Sequence, residues 1–171
     1  ADYNGDANNG GGSNLTINPA SANFTVGLGG AGAAGDLELT TDEIGAFQSD
    51  IDTVTIAATG SGDVIADAVT FLSPSTLRSP SGVIRAQGDI VDDGGSVLLD
   101  GNLLIDGNVT VDTTNSDAVA AGAVTVTGAI DGANVDGGDY LTIDAAHGVV
   151  DGAGEAAVDL QGPVEGGTGV P

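Results

Sequence analysis

Residues 97–114 read Val97-Leu98-Leu99-Asp100-Gly101-Asn102, Leu103-Leu104-Ile105-Asp106-Gly107-Asn108, Val109-Thr110-Val111-Asp112-Thr113-Thr114: one six-residue phrase written twice and begun a third time. In each phrase the first and third aliphatic residues point to one side of an extended chain, and the Asp-Gly-Asn that follows turns it. Three strands this short bury little alone. They become stable when further chain stacks on them, so the phrase predicts a parallel β-helix, or β-solenoid, in which three six-residue sides close one turn.

The same pattern extends along the chain. Short aliphatic strands are expected to start at near-regular steps close to Val54, Val69, Val83 and Val97, and again near Val109, Val124, Leu141 and Ala157. Spacing varies while the V-T-V or V-T-I alternation persists, as it does when corners change length and strands do not. Asp93-Gly94, Asp100-Gly101, Asp106-Gly107, Asp131-Gly132, Asp136-Gly137 and Asp151-Gly152 punctuate the strands, and such pairs favour left-handed backbone. The same pairs also suit hairpin turns, which makes an antiparallel β-sandwich the competing architecture. Hairpin strands of three residues are marginal, and this favours the coil. Helical periodicity is missing throughout, and the only candidate helix is Thr41–Phe47 (TDEIGAF), with Thr41 or Asp42 as N-cap and Gly45 limiting its length.

Composition agrees with thin, repetitive β-structure. The 171 residues include 30 glycines, 3% aromatics, and no Met, Trp or Cys. The core must therefore be built from Val, Leu and Ile between frequent turns. Three segments follow. Residues 1–35 form a flexible arm with short edge strands at Leu15-Thr16-Ile17 and Phe24-Thr25-Val26, able to pair with a neighbouring molecule; residues 36–162 form the β-solenoid; residues 163–171 form a tail. Within the arm, the glycine-rich 27–35 (GLGGAGAAG) reads as loop or linker. A phosphate-binding fingerprint requires a helix next, and Asp36-Leu37-Glu38-Leu39-Thr40 alternates as a strand.

Net charge is −23, from 25 acidic residues against two arginines. A chain without a basic surface is a poor ligand for nucleic acid or an anionic membrane. The acidity reads first as solubility and self-repulsion, which salt screens. No run approaches the roughly 18 apolar residues of a membrane span, so no transmembrane segment is expected. Beginning at Ala1 without a basic and apolar leader, the chain is read as a processed or excised segment.

Residues 36–56 (DLELTTDEIGAFQSDIDTVTI) and 62–113, from GDVIADAVTF through SPSGVIR to GNVTVDT, resemble the β-strand-repeat regions of large filamentous-haemagglutinin-like bacterial surface proteins. Residues 124–138 (VTVTGAIDGANVDGG) and 140–144 (YLTID) continue in the same manner. The resemblance implies an exported, right-handed parallel β-helix serving as stalk, adhesin or matrix fibre at the cell surface, and it implies no chemistry.

Candidate chemistry is sparse, and no catalytic or cofactor-binding residue is assigned. His147, the single histidine, has no nucleophile motif beside it and reads as a corner residue. Asp92-Asp93 matches the paired carboxylates of polysaccharide-cleaving enzymes, yet Asp-Asp-Gly-Gly is also an ordinary corner, and Arg78 and Arg85 are the only cations for an acidic sugar. Asp100, Asp106 and Asp112 recur at every sixth position with Asn102 and Asn108 behind the first two, and Asp131, Asp136 and Asp139 cluster further on. Hard oxygen ligands of this kind suit a structural calcium, although hexads on separate faces would hold these carboxylates apart. Asn14, Asn23 and Asn108 each begin an N-x-Thr triplet of the kind that accepts N-linked glycan, at a frequency expected by chance.

The sequence therefore predicts a non-enzymatic extracellular structural protein that associates head-to-tail with copies of itself. The alternatives are a module binding surface carbohydrate or a receptor, for which Tyr3, Tyr140, Phe24, Phe47 and Phe71 are too scattered to form an aromatic platform, and, further off, a polysaccharide-cleaving β-helix.

Overall fold

The computed structural model describes residues 13–30, 35–47, 51–116, 119–134, 138–145 and 158–165. Among these residues it is all-β with one five-residue helix, and every ladder between described strands is parallel. The antiparallel sandwich is thereby set aside. Hairpin strands run in opposite directions, whereas these partners run the same way, and from β4 (Thr53–Ala57) onward the chain travels on to two other faces before it returns to pair.

Three faces carry the ladders. On the first, β1 (Asn14–Ile17), β4 (Thr53–Ala57), the opening half of β7 (Ser75–Ala86), the opening half of β9 (Val97–Ile105), β11 (Val124–Val126) and β14 (Val158–Leu160) stack in that order. The second holds β3 (Leu37–Thr40), β2 (Val26–Gly29), β5 (Val64–Asp67), the closing halves of β7 and β9, β12 (Ile130–Gly132) and β15 (Val164–Glu165). These two faces form one eleven-stranded sheet that bends within β7 and β9. The third face is a separate four-stranded sheet of β6 (Val69–Phe71), β8 (Ile90–Asp92), β10 (Asn108–Asp112) and β13 (Tyr140–Asp144).

The three hexads occupy one face each. Val97 and Leu99 pair into the first, Leu103 and Ile105 into the second, and Val109 and Val111 into the third. All six are buried, and the residue between each pair faces out. Strand alternation alone produces this division. Registered partners on the first face, Val54, Ser75, Val97 and Val124, are spaced more widely along the chain with each successive layer. Corners vary from layer to layer. Between the first two faces β7 runs on past Arg78 and resumes pairing only at Val83, whereas β9 turns on Gly101 alone, and the longer step from Val97 to Val124 is taken up after β10.

The core is a column of aliphatic side chains inside the three faces, from Val26, Leu28 and Ile44 through Ile56, Leu77, Ile84, Leu99 and Leu103 to Val126 and Ile130. Phe71 is the one aromatic side chain among the fully buried described residues. Each fully buried aliphatic contributes about 1.5–3 kcal/mol before chain entropy is subtracted. No helix among the described residues is long and apolar enough to cross a membrane.

Several local expectations are corrected. The helix is α1 (Thr41–Gly45), and its N-cap is Thr40, not Thr41 or Asp42. Thr40 Oγ1 accepts from Glu43 N–H while Glu43 Oε2 accepts from Thr40 N–H, a reciprocal capping box that fixes the first turn. The Thr40 N–H and the Thr40 hydroxyl, both donating to Glu43 Oε2, hold the Glu43 carboxyl below its ordinary range. Residues 26–29, the last three of which the sequence places in a glycine loop, are fully buried as strand β2. Strands β1 and β2, expected in an arm, pair within the chain with β4 and β5, and β15 continues the second face beyond residue 162.

Candidate functional site

On the third face, Asp89, Val91, Thr110, Asp112, Ser116 and Asp144 line a groove of about 440 Å3. Register assembles it. Val91 of β8, Asp112 of β10 and Asp144 of β13 are ladder partners in consecutive layers, so three residues far apart in sequence form one outward row. Asp89 Oδ1 accepts from Thr110 N–H at 2.7 Å, tying the floor to the layer above.

Asp112 anchors the groove's far corner. Its Oδ1 accepts from Thr114 N–H and Thr114 Oγ1, both at 2.7 Å, and its Oδ2 accepts from Ser116 N–H at 2.8 Å. Burial raises the proton affinity of this carboxyl. The Thr114 hydroxyl and the N–H groups of Ser116, Thr114 and Asn115 outweigh burial and leave its pKa below the ordinary range. The corner is tight enough to place Asn115 and Ser116 in the left-handed region, at φ 48° and 58°. The groove thus presents carboxylate acceptors and two hydroxyls, with no imidazole, amine or thiol among its lining residues. It is shaped for hydrogen-bond donors, and it repels anions.

The hexad aspartates take separate roles. Asp100 pairs with Arg78 at 3.2 Å and accepts from Thr127 Oγ1. Asp106 pairs with Arg85 at 3.5 Å and accepts from Gln87 Nε2. Asp112 serves its own corner, and Asn102 Oδ1 accepts from Ala129 N–H. Asp131 receives the N–H of Gly132. Asp139 receives the backbone and side-chain N–H groups of Asn134 and the N–H of Gly107, and these donors hold its pKa low. No group of three His, Cys, Asp or Glu side chains able to hold a metal occurs among the described residues. His147, Asp136, Tyr3 and the Asp151-Gly152 pair lie outside the described residues.

Asp92 and Asp93 point in opposite directions. Asp92 is 0% exposed and accepts from Ser75 Oγ at 3.0 Å and Gly95 N–H at 2.7 Å, while Asp93 is exposed and accepts from Asn115 Nδ2. Two carboxylates on opposite sides of one strand cannot flank a single glycosidic bond. Burial is the main cause that pushes Asp92 up to about 7, against the hydrogen bonds from Ser75 and Gly95 and with the neighbouring charge of Asp93.

Of the three N-x-Thr triplets, Asn14 and Asn108 are exposed at strand starts. Asn23 is committed to the fold, because its Oδ1 accepts from Ser61 N–H and Ser61 Oγ. Nothing in the sequence singles out Asp89 or Asp144, whose position in the groove follows only from knowing the layer step. No protein-family model, curated protein or solved structure matches the chain.

Proposed function

We propose that the chain is a non-enzymatic structural module: a β-solenoid segment of an extracellular surface fibre, filament or adhesin that associates with further copies through its terminal strand edges. The observation that carries this reading is the stacking of the same three faces through successive parallel layers around a continuous aliphatic core. Such a body gains rigidity with each added layer, and its end strands keep unpaired N–H and C=O groups. The resemblance to filamentous-haemagglutinin-like repeats supports the same role.

The two ends differ. Toward the N-terminus, α1 lies against β6, β3 and β2 and buries Ile44 among the core residues. In the last described layer, Val158, Leu160 and Val164 occupy the columns of the buried Val124, Val126 and Ile130 yet are 48%, 40% and 63% exposed. In the proposed fibre this end receives the strands of another copy. Molecules of charge −23 repel one another, so association strengthens as salt shortens the screening length from about 10 Å at 0.1 M to about 3 Å at 1 M. Sedimentation velocity and negative-stain microscopy from 0.1 to 2 M NaCl test this. Longer particles at high salt, lost on Leu160→Asp, are expected; a monomer under every condition refutes self-association.

A second reading, a carbohydrate-binding adhesin, draws on the groove of Asp89, Thr110, Asp112 and Asp144, whose acceptors match the donor hydroxyls of a neutral sugar. A glycan array with no signal removes it.

A further inference from the structure

Asp92 occupies a corner that joins three layers. Its own corner, residues 93–96, carries the chain from β8 to β9. Below, Pro74 N would lie 2.7 Å from a methyl group placed on Gly95, and Ser75 N–H donates to Ser96 O at 2.9 Å. Above, Ser96 N would lie 2.7 Å from a methyl on Gly122, and Val97 N–H donates to Ala123 O at 2.8 Å. Neither glycine has room for a side chain, so at this corner the backbones of the three layers pack directly on one another. The carboxyl sits inside it, fully buried, with Ser75 Oγ on one oxygen and Gly95 N–H on the other.

No cation among the described residues compensates it. Arg78 and Arg85 are engaged by Asp100 and Asp106. From the layer below the corner offers Ser73, Pro74 and Ser75, none of them titratable in this range. On its own corner stands Asp93, a like charge, and in the layer above Asp112 is turned into the donors of Thr114 and Ser116. A protonated Asp92 can donate to the Ser75 hydroxyl and still accept from Gly95. An ionised Asp92 is a buried charge with neutral donors but no cation beside it, and burial outweighs those donors, so the charged form is costly unless the corner opens to water.

The geometry points to a pH-sensitive latch: protonated Asp92 holds the corner between β8 and β9 shut, and ionised Asp92 loosens it. The sign follows from linkage. In the opened corner the carboxyl titrates near the ordinary 3.8, and in the closed corner near 7. Between these values the open form loses its proton while the closed form keeps it. Opening then becomes easier by up to about tenfold per pH unit as pH rises toward 7, and levels off above.

Amide hydrogen exchange on the intact chain, corrected for the intrinsic pH dependence of exchange, reads this directly. Protection of Gly95, Ser75 and Val97 is expected to fall steeply from pH 5 to 7 and then flatten, while Ala58, bonded to Arg78 O at another corner, stays level. In Asp92→Asn, whose amide reproduces the protonated acid's hydrogen bonds, all four amides stay level. Equal protection of the corner amides at pH 5 and 7 in the wild type overturns the latch, as does an unchanged pH profile in Asp92→Asn. Should that variant not fold, the wild-type Asp92 carboxyl carbon shift decides: a midpoint near 7 is expected, and one near 4 overturns the proposal.

Discussion

Replacing Gly128 with alanine tests whether glycine at the corners is there for clearance between layers. Gly128 stacks on Gly101 at the bend between the first two faces, and Gly101 in turn stacks on Ser79. A methyl on Gly128 would lie against Gly101 O, 2.5 Å from Gly101 C and 2.6 Å from Asn102 N, where ordinary contact begins at 3.4 Å. The upper layer must therefore lift by about 1 Å. Bonds spanning that gap include Gly128 N–H to Gly101 O at 3.2 Å, Ala129 N–H to Asn102 Oδ1 at 3.1 Å and Leu103 N–H to Ala129 O at 2.8 Å. Lifting by that amount takes them past useful hydrogen-bond length. Two or three bonds at about 1 kcal/mol each, together with loosened packing beneath, give an expected loss of about 2–4 kcal/mol. That is a large part of the roughly 5–15 kcal/mol typical of a folded domain. The matched control is Gly45→Ala in α1, where a methyl meets nothing within 4 Å and better helix propensity gives a gain of about 0.5–1 kcal/mol. Urea unfolding followed by circular dichroism compares the two. Opposite signs are expected; a Gly128→Ala cost below about 1 kcal/mol, or a shift in the same direction for both variants, refutes the clearance argument.

Three further outcomes concern the core, the helix cap and the charge. Leu99→Ala, at a side chain 0% exposed between Leu77 and Val126, is expected to cost about 2–5 kcal/mol in urea unfolding, whereas Leu98→Ala beside it on the outer face costs far less. Thr40→Ala removes the capping box and is expected to lower stability by about 1 kcal/mol, with faster amide exchange confined to the first turn of α1. Raising NaCl from 0.1 to 1 M is expected to raise the melting temperature, because self-repulsion among 25 acidic and two basic residues outweighs the two arginine pairs that salt weakens.

The strand period visible in the sequence is shorter than the layer step, and the difference is instructive. Val54 lies on the first face, Val69 on the third, Val83 on the second and Val97 on the first again. Each such step carries the chain past two of three faces, so the strands richest in valine mark every second face and pass over those opening at Val64, Ser75 and Ile90. Ser75 shows why. It is a buried serine in a strand position, held by its bond to Asp92, and no hydrophobicity count finds it. The hexads were legible because one layer there has corners short enough to keep the phrase regular. The β2 strand was illegible for the opposite reason: its Gly27 and Gly29 are buried where backbone packs on backbone, and glycine in sequence reads as loop.

Acidic residues were legible as a composition and opaque as individuals. Asp92 and Asp93 are neighbours with the same side chain, yet one is sealed in the core with its pKa pushed up to about 7 and the other faces water. Parity was the signal available. Ile90 points inward, so Asp92, two positions on in the same strand, must point inward as well. The fates of Asp100, Asp106 and Asp112 required more, since each is decided by a partner that only the layer step or the corner geometry supplies. Asp100 meets its ladder partner Arg78, Asp106 meets Arg85 across the layers, and Asp112 meets the Thr114–Ser116 turn. A recurrence at every sixth position puts equivalent aspartates on three different faces, so the regularity that suggests a shared ion is the same regularity that separates them. Carboxylates meet in this fold by recurring at the layer step, as Asp112 and Asp144 do across β10 and β13.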